Sequence, residues 1–347
     1  MAMAFRRLAR NLLMAAALLP LPALAGSLYS TPRYAAILID HDSGELLYAR
    51  RADETRYPAS ITKVMTLYVA FEELTAGRLQ LDDKIRISRH AFGQAPSKLG
   101  LRPGATISVR DAFGVIATKS ANDIAVALAE HISGSEAEFA ARMTQTARRL
   151  GMKASVFHNA SGLPHPDHTT TARDIAILSR AMLRDFPTQY PLFSQTHYDY
   201  RGQAVANHNH LLRTMPGVDG IKTGFTNAAG FTLAASAVRG GRRLVAVVLG
   251  GPSRMGRDGN VQDLLATGFD VLDRRQRGEI LTVASRFAEP DDLPDAVMAN
   301  LAGDIASVDG AVELPARAVT QVSVASAIDN LGVAAPLAGG GRALPHR

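Results

Sequence analysis

The stretch Tyr57–Lys63, which reads YPASITK, is the part of the chain around which the rest can be arranged. Pro58 disfavours helix just before it, and from Ile61 onward apolar residues recur at helical spacing for several turns. This spacing predicts an amphipathic helix with Ser60 at its first turn and Lys63 on the same face. A helix N-terminus stabilises developing negative charge, and a neutral lysine can accept a hydroxyl proton. Ser60 and Lys63 are therefore a candidate nucleophile and base, although a serine N-cap beside a solvated lysine would give the same short pattern.

Composition limits the classes of protein to which the chain can belong. Its 347 residues suffice for one large or two ordinary domains, and 47% hydrophobic with 20% charged residues is typical of a globular protein. The sequence has no cysteine, which excludes disulfides and thiolate metal ligands. The net charge of +6 is spread along the chain without a dense basic run, so we expect no binding of nucleic acid.

The N-terminus has the pattern of an export signal. Arg6, Arg7 and Arg10 precede an apolar run at 12–24, and an Ala-Leu-Ala sequence ends just before Gly26. The run is short and contains two prolines, which argues against a membrane span. We expect a signal peptide at 1–25 and a mature chain in the periplasm or another extracytoplasmic space.

Strand patterns lie at both ends of the chain, and helical patterns lie mostly between them. The predicted strands are at 34–40, 45–49, 84–87, 106–108, 196–200, 220–224, 231–238 and 243–249, and the predicted helices at 61–74, 109–117, 123–132, 136–150, 172–184 and 260–272. This order favours an α/β fold in which an antiparallel sheet drawn from both chain ends is flanked by helices and carries a helical subdomain. We expect that domain to span 26–275 and residues 276–347 to form an irregular, poorly patterned tail.

Two further short motifs lie where a cleft could form. Ser120 and Asn122 fall in a break between two predicted helices, so that a hydroxyl and a carboxamide can point the same way. Lys222, Thr223 and Gly224 lie on a predicted strand, where a cation and a hydroxyl suit a carboxylate and glycine permits close approach of a ligand. Each motif is weak alone, but Ser-x-x-Lys, Ser-x-Asn and Lys-Thr-Gly in this order are typical of β-lactamases and penicillin-binding proteins.

On these residues the chain resembles the serine D-alanyl-D-alanine carboxypeptidases, the low-molecular-mass penicillin-binding proteins. The segments that carry the resemblance are PASITKVMT at 58–66, KSAND at 119–123, NASGL at 159–163, DGIKTG at 219–224 and AAGF at 228–231. The likeness covers residues 30 to 275 approximately. It implies a β-lactamase/transpeptidase-like fold for the predicted sheet and helices.

The resemblance also implies catalytic roles. Ser60 would be the acylated nucleophile and Lys63 its general base, while Ser120 and Asn122 would shuttle protons and hold the peptide group of the substrate. Keeping a lysine neutral at pH 7 costs about 4.6 kcal/mol, because its ordinary pKa is near 10.4. The role therefore requires Lys63 to be largely buried, with the like charge of Lys222 close by.

Substrate binding is implied for the third motif. Lys222 and Thr223 would bind the terminal carboxylate of D-Ala-D-Ala on the strand that contains Gly224. The N–H groups of Ser60 and Phe225 would form the oxyanion hole, and the Phe225 side chain occupies a position that can shape the site.

The activity implied is that of a penicillin-sensitive serine D,D-carboxypeptidase, which removes the terminal D-alanine from peptidoglycan stem peptides through an acyl-enzyme on Ser60 without a cofactor. β-Lactams would be covalent inhibitors. A D,D-endopeptidase that cuts peptidoglycan cross-links is the alternative. A β-lactamase is less favoured because it usually needs a carboxylate to activate water, and no glutamate after the middle motif has an obvious claim to that role, although Glu136 and Glu138 lie near in sequence. A catalytically idle binder is disfavoured because all three motifs are intact.

Two features depart from the family or compete with this interpretation. Many family members have a β-rich domain and then an amphipathic anchor after the catalytic domain, whereas the tail here lacks that pattern, so we expect a soluble enzyme with doubtful membrane association. The residues His165, Asp167 and His168, like His208 and His210, could suggest a metal site. Their spacing within loops is irregular, and we expect no metal.

Overall fold

The protein is described here by a computed structural model that covers residues 33–288. Its strands are β1 (Ala35–Asp40), β2 (Leu46–Arg50), β3 (Lys84–Arg86), β4 (Thr106–Ser108), β5 (His197–Tyr200), β6 (Gln203–Ala206), β7 (Val218–Thr226), β8 (Gly230–Arg239) and β9 (Arg242–Gly251). Its α-helices are α1 (Thr62–Thr75), α2 (Arg89–Phe92), α3 (Val109–Ala117), α4 (Asn122–Ser133), α5 (Glu136–Leu150), α6 (Ala172–Asp185), α7 (Leu211–Thr214) and α8 (Arg254–Gln276). Short 3₁₀ turns occur at Ala59–Ile61 and Tyr190–Phe193.

The main sheet has five strands in the order β2-β1-β9-β8-β7, and every neighbouring pair is antiparallel. Among the described residues, the first strand, β1, lies beside the last, β9, with Ile37 opposite Val247. A tight turn joins β8 to β9, where Arg239 pairs with Arg242. The prediction of an antiparallel sheet drawn from both chain ends is therefore confirmed.

The two faces of the sheet pack against different helices because side chains alternate along a strand. On β1, Ile37 belongs to the core shared with helices α1 and α3 to α6, whereas Leu38 belongs to the core shared with α8. Both side chains are fully buried. The helices therefore cover both faces, and the first core also contains the helical subdomain around α4.

Several elements begin elsewhere than predicted. Helix α8 starts at Arg254, well before the predicted start at 260, because Gly256 and Gly259 weaken helix propensity and conceal the first turn. The true start is marked by Ser253, whose side chain accepts a hydrogen bond from the Gly256 N–H at 2.9 Å. The short elements α2, α7 and β6 were not predicted.

Packing continues beyond the predicted domain boundary at 275. Val283 is fully buried, and the ring of Phe287 packs edge-on against Tyr48 with 5.1 Å between centroids. The predicted signal peptide at 1–25 and the remainder of the predicted tail lie outside the described residues. Within residues 33–288, no helix combines the length and apolar character that a membrane crossing requires.

Candidate active site

Ser60 lies in the 3₁₀ turn that leads directly into α1. The preceding residue, Ala59, has φ of +48°, a left-handed conformation that costs a non-glycine residue roughly 1–3 kcal/mol. Gly162 packs so tightly against this turn that a Cβ atom there would lie 1.8 Å from the Ala59 carbonyl oxygen. The turn that presents Ser60 is therefore strained and held in place by a loop far away in the sequence.

Lys63 is fully buried and makes three close contacts through its Nζ atom. The distances are 3.0 Å to Ser60 Oγ, 2.6 Å to Asn122 Oδ1 and 2.6 Å to the Ser161 carbonyl oxygen. The latter two oxygens can only accept hydrogen bonds, so they use both N–H groups of a neutral amine. The remaining lone pair then faces the Ser60 hydroxyl, which is the arrangement that a general base requires.

The pKa of Lys63 lies well below its ordinary value. Burial is the larger cause, and the positive charge of Lys222 adds to it, while the Asp123 carboxylate opposes both. That carboxylate is itself occupied by the N–H groups of Leu99 and Gly100, at 2.9 and 2.7 Å. The burial of Lys63 that its proposed role requires is therefore present.

The break between α3 and α4 positions the second motif. Asn122 is fixed at both ends, because its N–H donates to the Ser97 carbonyl at 2.7 Å and its Nδ2 donates to the Ala95 carbonyl at 2.8 Å. Its Oδ1 is thereby directed at Lys63. Ser120 has φ of +64°, and its Oγ is buried without a hydrogen-bond partner among the described residues. Buried hydroxyls normally have a partner, so this one is available to a ligand.

The third motif lies on β7, which forms an edge of the main sheet. Lys222 is buried, its Nζ donates to the Thr223 carbonyl at 3.1 Å, and burial together with the charge of Arg257 lowers its pKa to about 7. Gly224 passes so close to Ser60 that a Cβ atom would lie 2.8 Å from the Ser60 nitrogen. The strand therefore brings its lysine and its free backbone edge to the nucleophile.

Phe225 follows Gly224 and is half-buried. Its ring lies 4.3 Å from that of Phe231 on the neighbouring strand β8, at a tilt of 31°. The side chain thus packs along the sheet, and the Phe225 N–H lies one residue beyond the contact between Gly224 and Ser60. The participation of this N–H in an oxyanion hole stays a prediction.

Three further residues support the site without having been predicted as site residues. The carbonyl of Ser161 accepts a hydrogen bond from Lys63 Nζ. The signal in the sequence for Ser161 was the resemblance of the segment at 159–163 to the family. Arg257, almost fully buried on α8, donates to the Thr232 carbonyl and pairs with Asp258 at 2.7 Å. No short sequence motif predicts that Arg257 lies near enough to Lys222 to lower its pKa.

The third of these residues is His168. Its Nε2 lies 2.9 Å from Thr62 Oγ1, and its Nδ1 accepts the backbone N–H of His158 at 3.3 Å. Burial, followed by the nearby charges of His158 and His165, lowers the pKa of His168 to about 3, so the ring is neutral and Nε2 donates to Thr62. Because Thr62 lies between Ser60 and Lys63 in sequence, this bond attaches the loop to the catalytic turn.

The carboxylates considered for a β-lactamase serve other purposes. Glu136 accepts the Ala160 N–H at 3.0 Å through Oε1, and its Oε2 lies 2.6 Å from His90 Nε2. Glu138 lies in the first turn of α5, which Ser135 caps. In the described part of the chain, neither carboxylate is hydrogen-bonded to the nucleophile or its base.

A cavity of about 280 Å³ opens beside the nucleophilic turn. It is lined by Tyr57, Pro58, Ala59, Gly162, Leu163, Pro164, His165, Pro166, His168, Thr226 and Ala228. Most of these side chains are apolar, so the cavity suits an uncharged part of a ligand whose reactive group lies at Ser60.

Comparison with known proteins places this geometry in context. Residues 30–253 match the model of the D-alanyl-D-alanine carboxypeptidase family. The chain is 38% identical over 240 residues to D-alanyl-D-alanine carboxypeptidase DacF of Bacillus subtilis, covering 67% of this chain and 61% of the relative. It is 38% identical over 254 residues to DacD of Escherichia coli, covering 70% of this chain and 65% of the relative. The chain thus spans less than two thirds of the length of these relatives.

Solved structures give the same result for the fold. Penicillin-binding protein 5 from Haemophilus influenzae superposes with a TM-score of 0.66 at 36% identity, covering 70% of this chain and 72% of that one. Penicillin-binding protein D2 from Listeria monocytogenes, in its cefotaxime-bound form, superposes with a TM-score of 0.63 at 31% identity, covering 69% of this chain and 98% of that one. The predicted transpeptidase-like fold is confirmed, and the chain belongs to the D-alanyl-D-alanine carboxypeptidase family.

Proposed function

We propose that the protein is a penicillin-sensitive serine D,D-carboxypeptidase that removes the terminal D-alanine from peptidoglycan stem peptides. The observation that carries the proposal is the Nζ of Lys63, 3.0 Å from Ser60 Oγ, with its two other contacts made to carbonyl oxygens. A lysine held neutral in this way is a base directed at one hydroxyl. Family membership supplies the class of reaction.

Acylation begins when Ser60 Oγ attacks the carbonyl carbon of the bond between the two D-alanine residues. Lys63 Nζ accepts the hydroxyl proton as the new C–O bond forms. The tetrahedral oxyanion is held by the N–H groups of Ser60 and Phe225. When the C–N bond breaks, the leaving amine takes a proton by way of Lys63 or the free hydroxyl of Ser120, and D-alanine departs.

The terminal carboxylate of the substrate is bound by Lys222 and the Thr223 hydroxyl, which share strand β7. A charge-assisted hydrogen bond from Lys222 would contribute about 1.5–3 kcal/mol. Asn122 holds the peptide group through its side chain. Water then attacks the acyl-enzyme, Lys63 accepts the proton of that water, and the shortened peptide leaves with Ser60 restored.

β-Lactams fit the same site because their strained amide acylates a serine that is activated in this way. The structural relative from Listeria monocytogenes is known in cefotaxime-bound and ampicillin-bound forms. A β-lactamase is the less favoured alternative, since Glu136 is already engaged by the Ala160 N–H and His90. A D,D-endopeptidase would use the same residues on a cross-linked substrate.

The first test is covalent labelling by a fluorescent penicillin. The wild-type protein should be labelled, Ser60→Ala should not, and Ser43→Ala, which changes an exposed serine in the β1–β2 turn, should behave as wild type. Labelling of a folded Ser60→Ala protein would refute the assignment of the nucleophile.

The second test separates the candidate activities. A peptide ending in D-Ala-D-Ala should release free D-alanine, and penicillin should be hydrolysed only slowly. Rapid turnover of penicillin would indicate a β-lactamase instead. Cleavage of a cross-linked muropeptide dimer in preference to the linear peptide would indicate an endopeptidase.

Export is part of the same proposal, because the substrate lies outside the cytoplasm. The arginines followed by an apolar run at 12–24 support it. Fractionation of cells that express the full chain should place the protein, shortened by about 25 residues, in the extracytoplasmic soluble fraction. Recovery of the unprocessed chain from the cytoplasm or of all the protein from membranes would contradict this.

A further inference from the structure

We propose that His158, His165 and Asp167 form a binding site for a divalent transition metal of the zinc type, at the rim of the cavity beside Ser60. One ring nitrogen of each histidine and one carboxylate oxygen of the aspartate all lie within 4.8 Å of one another. Two imidazoles and a carboxylate are a donor set that Zn²⁺ binds at about 2.0–2.2 Å. This inference does not depend on the proposed activity.

The geometry needs little adjustment to close around an ion. Ligand atoms about 2.1 Å from a tetrahedral Zn²⁺ lie roughly 3.4 Å apart. Since the three atoms lie within 4.8 Å of one another, each pair must approach by at most about 1.4 Å. His158 and Asp167 are exposed, so their side chains can rotate without disturbing the core. The stacked rings of His158 and His165 would have to turn so that one nitrogen of each faces the ion.

The fold brings the two histidines together from separate segments. His158 follows a bridge in which Val156 pairs with Thr169, and His165 lies in the loop that connects the two sides of that bridge. The two rings stack with 4.0 Å between centroids and an interplanar angle of 13°. No local sequence pattern indicates this pairing across a loop, and for that reason His158 was not predicted as a ligand.

The three side chains have few competing partners. Within residues 33–288, the hydrogen bond that engages them is the long contact from the Asp167 N–H to His165 Nδ1, at 3.2 Å. The His158 ring and the Asp167 carboxylate have no hydrogen-bond partner in that range. Ligation therefore displaces one weak contact at most.

His168 is excluded as a ligand but connects the site to the catalytic turn. Its ring is buried, with Nε2 bonded to Thr62 and Nδ1 accepting the His158 backbone N–H. His158 is thus held by a residue that is itself attached to the segment between Ser60 and Lys63. The expectation of no metal considered His165, Asp167 and His168, and also His208 and His210. The cluster proposed here shares His165 and Asp167 with the first of those sets and contains His158 in place of His168.

Three protein ligands leave a fourth position open in a tetrahedral site. Because His165 also lines the cavity, an ion bound here would carry two positive charges to the rim of a largely apolar space. The open position would accept water or an anionic group of a ligand in that cavity.

The test uses the full mature chain without an affinity tag, titrated with Zn²⁺ in competition with a chromophoric chelator at pH 7.5. We expect one ion per chain and, with Co²⁺ in place of Zn²⁺, visible absorption of a low-symmetry nitrogen–oxygen site. His158→Ala and Asp167→Asn should each weaken Zn²⁺ binding by about tenfold or more, since ligands matter at least as much as their supporting residues. His131→Ala, which changes an exposed histidine on α4, should leave binding unchanged.

Lowering the pH from 7.5 to 5.5 should also weaken binding by about tenfold or more, because imidazole must lose its proton to bind a metal. The thermal unfolding midpoint of each variant checks that it folds, and Asp167→Asn, which keeps the shape of the side chain, serves if His158→Ala does not. Equal Zn²⁺ affinity in the wild type, Asp167→Asn and a folded His158→Ala would overturn the proposal. So would the absence of stoichiometric binding in the wild type.

Discussion

Two buried lysines lie near each other in the site, and their surroundings differ. Lys63, at the start of α1, has three close contacts, and burial with the charge of Lys222 lowers its pKa well below the ordinary value. Lys222, on β7, has one hydrogen-bond partner within residues 33–288, the carbonyl of its own neighbour Thr223, and its pKa is lowered to about 7. The N–H groups of Lys63 are therefore occupied by protein oxygens, whereas Lys222 has N–H groups that can still donate to a ligand.

The difference shows how one kind of side chain can serve two functions. A lysine whose N–H groups are occupied by carbonyl oxygens has only its lone pair to offer, and so acts as a base. A lysine with unused N–H groups that keeps its proton near neutral pH can bind a carboxylate. The positive charge of Lys222 also helps to keep Lys63 neutral.

The largest expected effect is on the base. Lys63→Met should lower the rate of labelling by a fluorescent penicillin by about 10²–10⁴-fold, because the proton of Ser60 then has no acceptor. The comparison is with Lys84→Met, an exposed lysine on β3, which should label as wild type. Normal labelling of a folded Lys63→Met protein would mean that another group accepts the proton.

The next effect tests how β7 is placed against the nucleophile. Gly224→Ala should lower kcat/KM by about 100-fold, because the new Cβ would lie 2.8 Å from the Ser60 nitrogen and 2.6 Å from Thr232 Oγ1 and would push the strand away. Gly259→Ala on α8 is the matched control, since nothing lies within 4 Å of its Cβ and alanine favours helix. Wild-type kinetics in Gly224→Ala would show that the approach of the strand is not needed.

Removal of the second lysine should have a smaller and selective effect. Lys222→Gln keeps some hydrogen bonding but loses the charge, so kcat/KM on a D-Ala-D-Ala peptide should fall by about 10- to 100-fold. A peptide with an amidated C-terminus should react slowly with the wild type and lose little more in the variant. If both substrates fall by the same factor, Lys222 acts on Lys63 rather than on the carboxylate.

The pH profile should distinguish the two lysines without mutation. Since the pKa of Lys222 in the free enzyme is about 7, its protonated fraction falls as the pH rises through 7. The kcat/KM for the carboxylate-ended peptide should then decrease, approaching tenfold per unit at higher pH, while that for the amidated peptide should not. Arg257→Met, if folded, should move this decrease to higher pH, although burial, the larger cause of the shift, would remain.

The smallest effect on the chemistry is expected at the end of the described chain. A chain ending at Gln276 would lose Val283 and Phe287 from the core beside α8, at a cost of about 3–6 kcal/mol as an upper value. A chain ending at Ala288 would keep both. The thermal unfolding midpoint should be lower for the chain that ends at Gln276. Below that midpoint the two chains should have the same kcat/KM, because neither truncation changes the surroundings of the two lysines.

Local patterns predicted the elements around the site well. The helix at 136–150 is reproduced as α5 (Glu136–Leu150), and the helix after Ser60 and the strand with Lys222 lie where periodicity placed them. Such patterns succeed because hydrogen bonding and side-chain period within a helix or strand involve near neighbours in sequence. The start of α8 was not predicted because the glycines in its first turns have low helix propensity.

The sequence by itself determined the order of the three motifs, the antiparallel sheet and the family, because these depend on residue types at short spacings. Only the tertiary structure decided that Lys63 is buried and its pKa lowered, since its amine contacts Asn122 and Ser161, 59 and 98 residues away in sequence, and lies near the charge of Lys222. The pairing of His158 with His165 is likewise a property of the folded loop. The burial of a side chain and its distance from other charges depend on contacts between distant segments, so a local sequence pattern does not predict them.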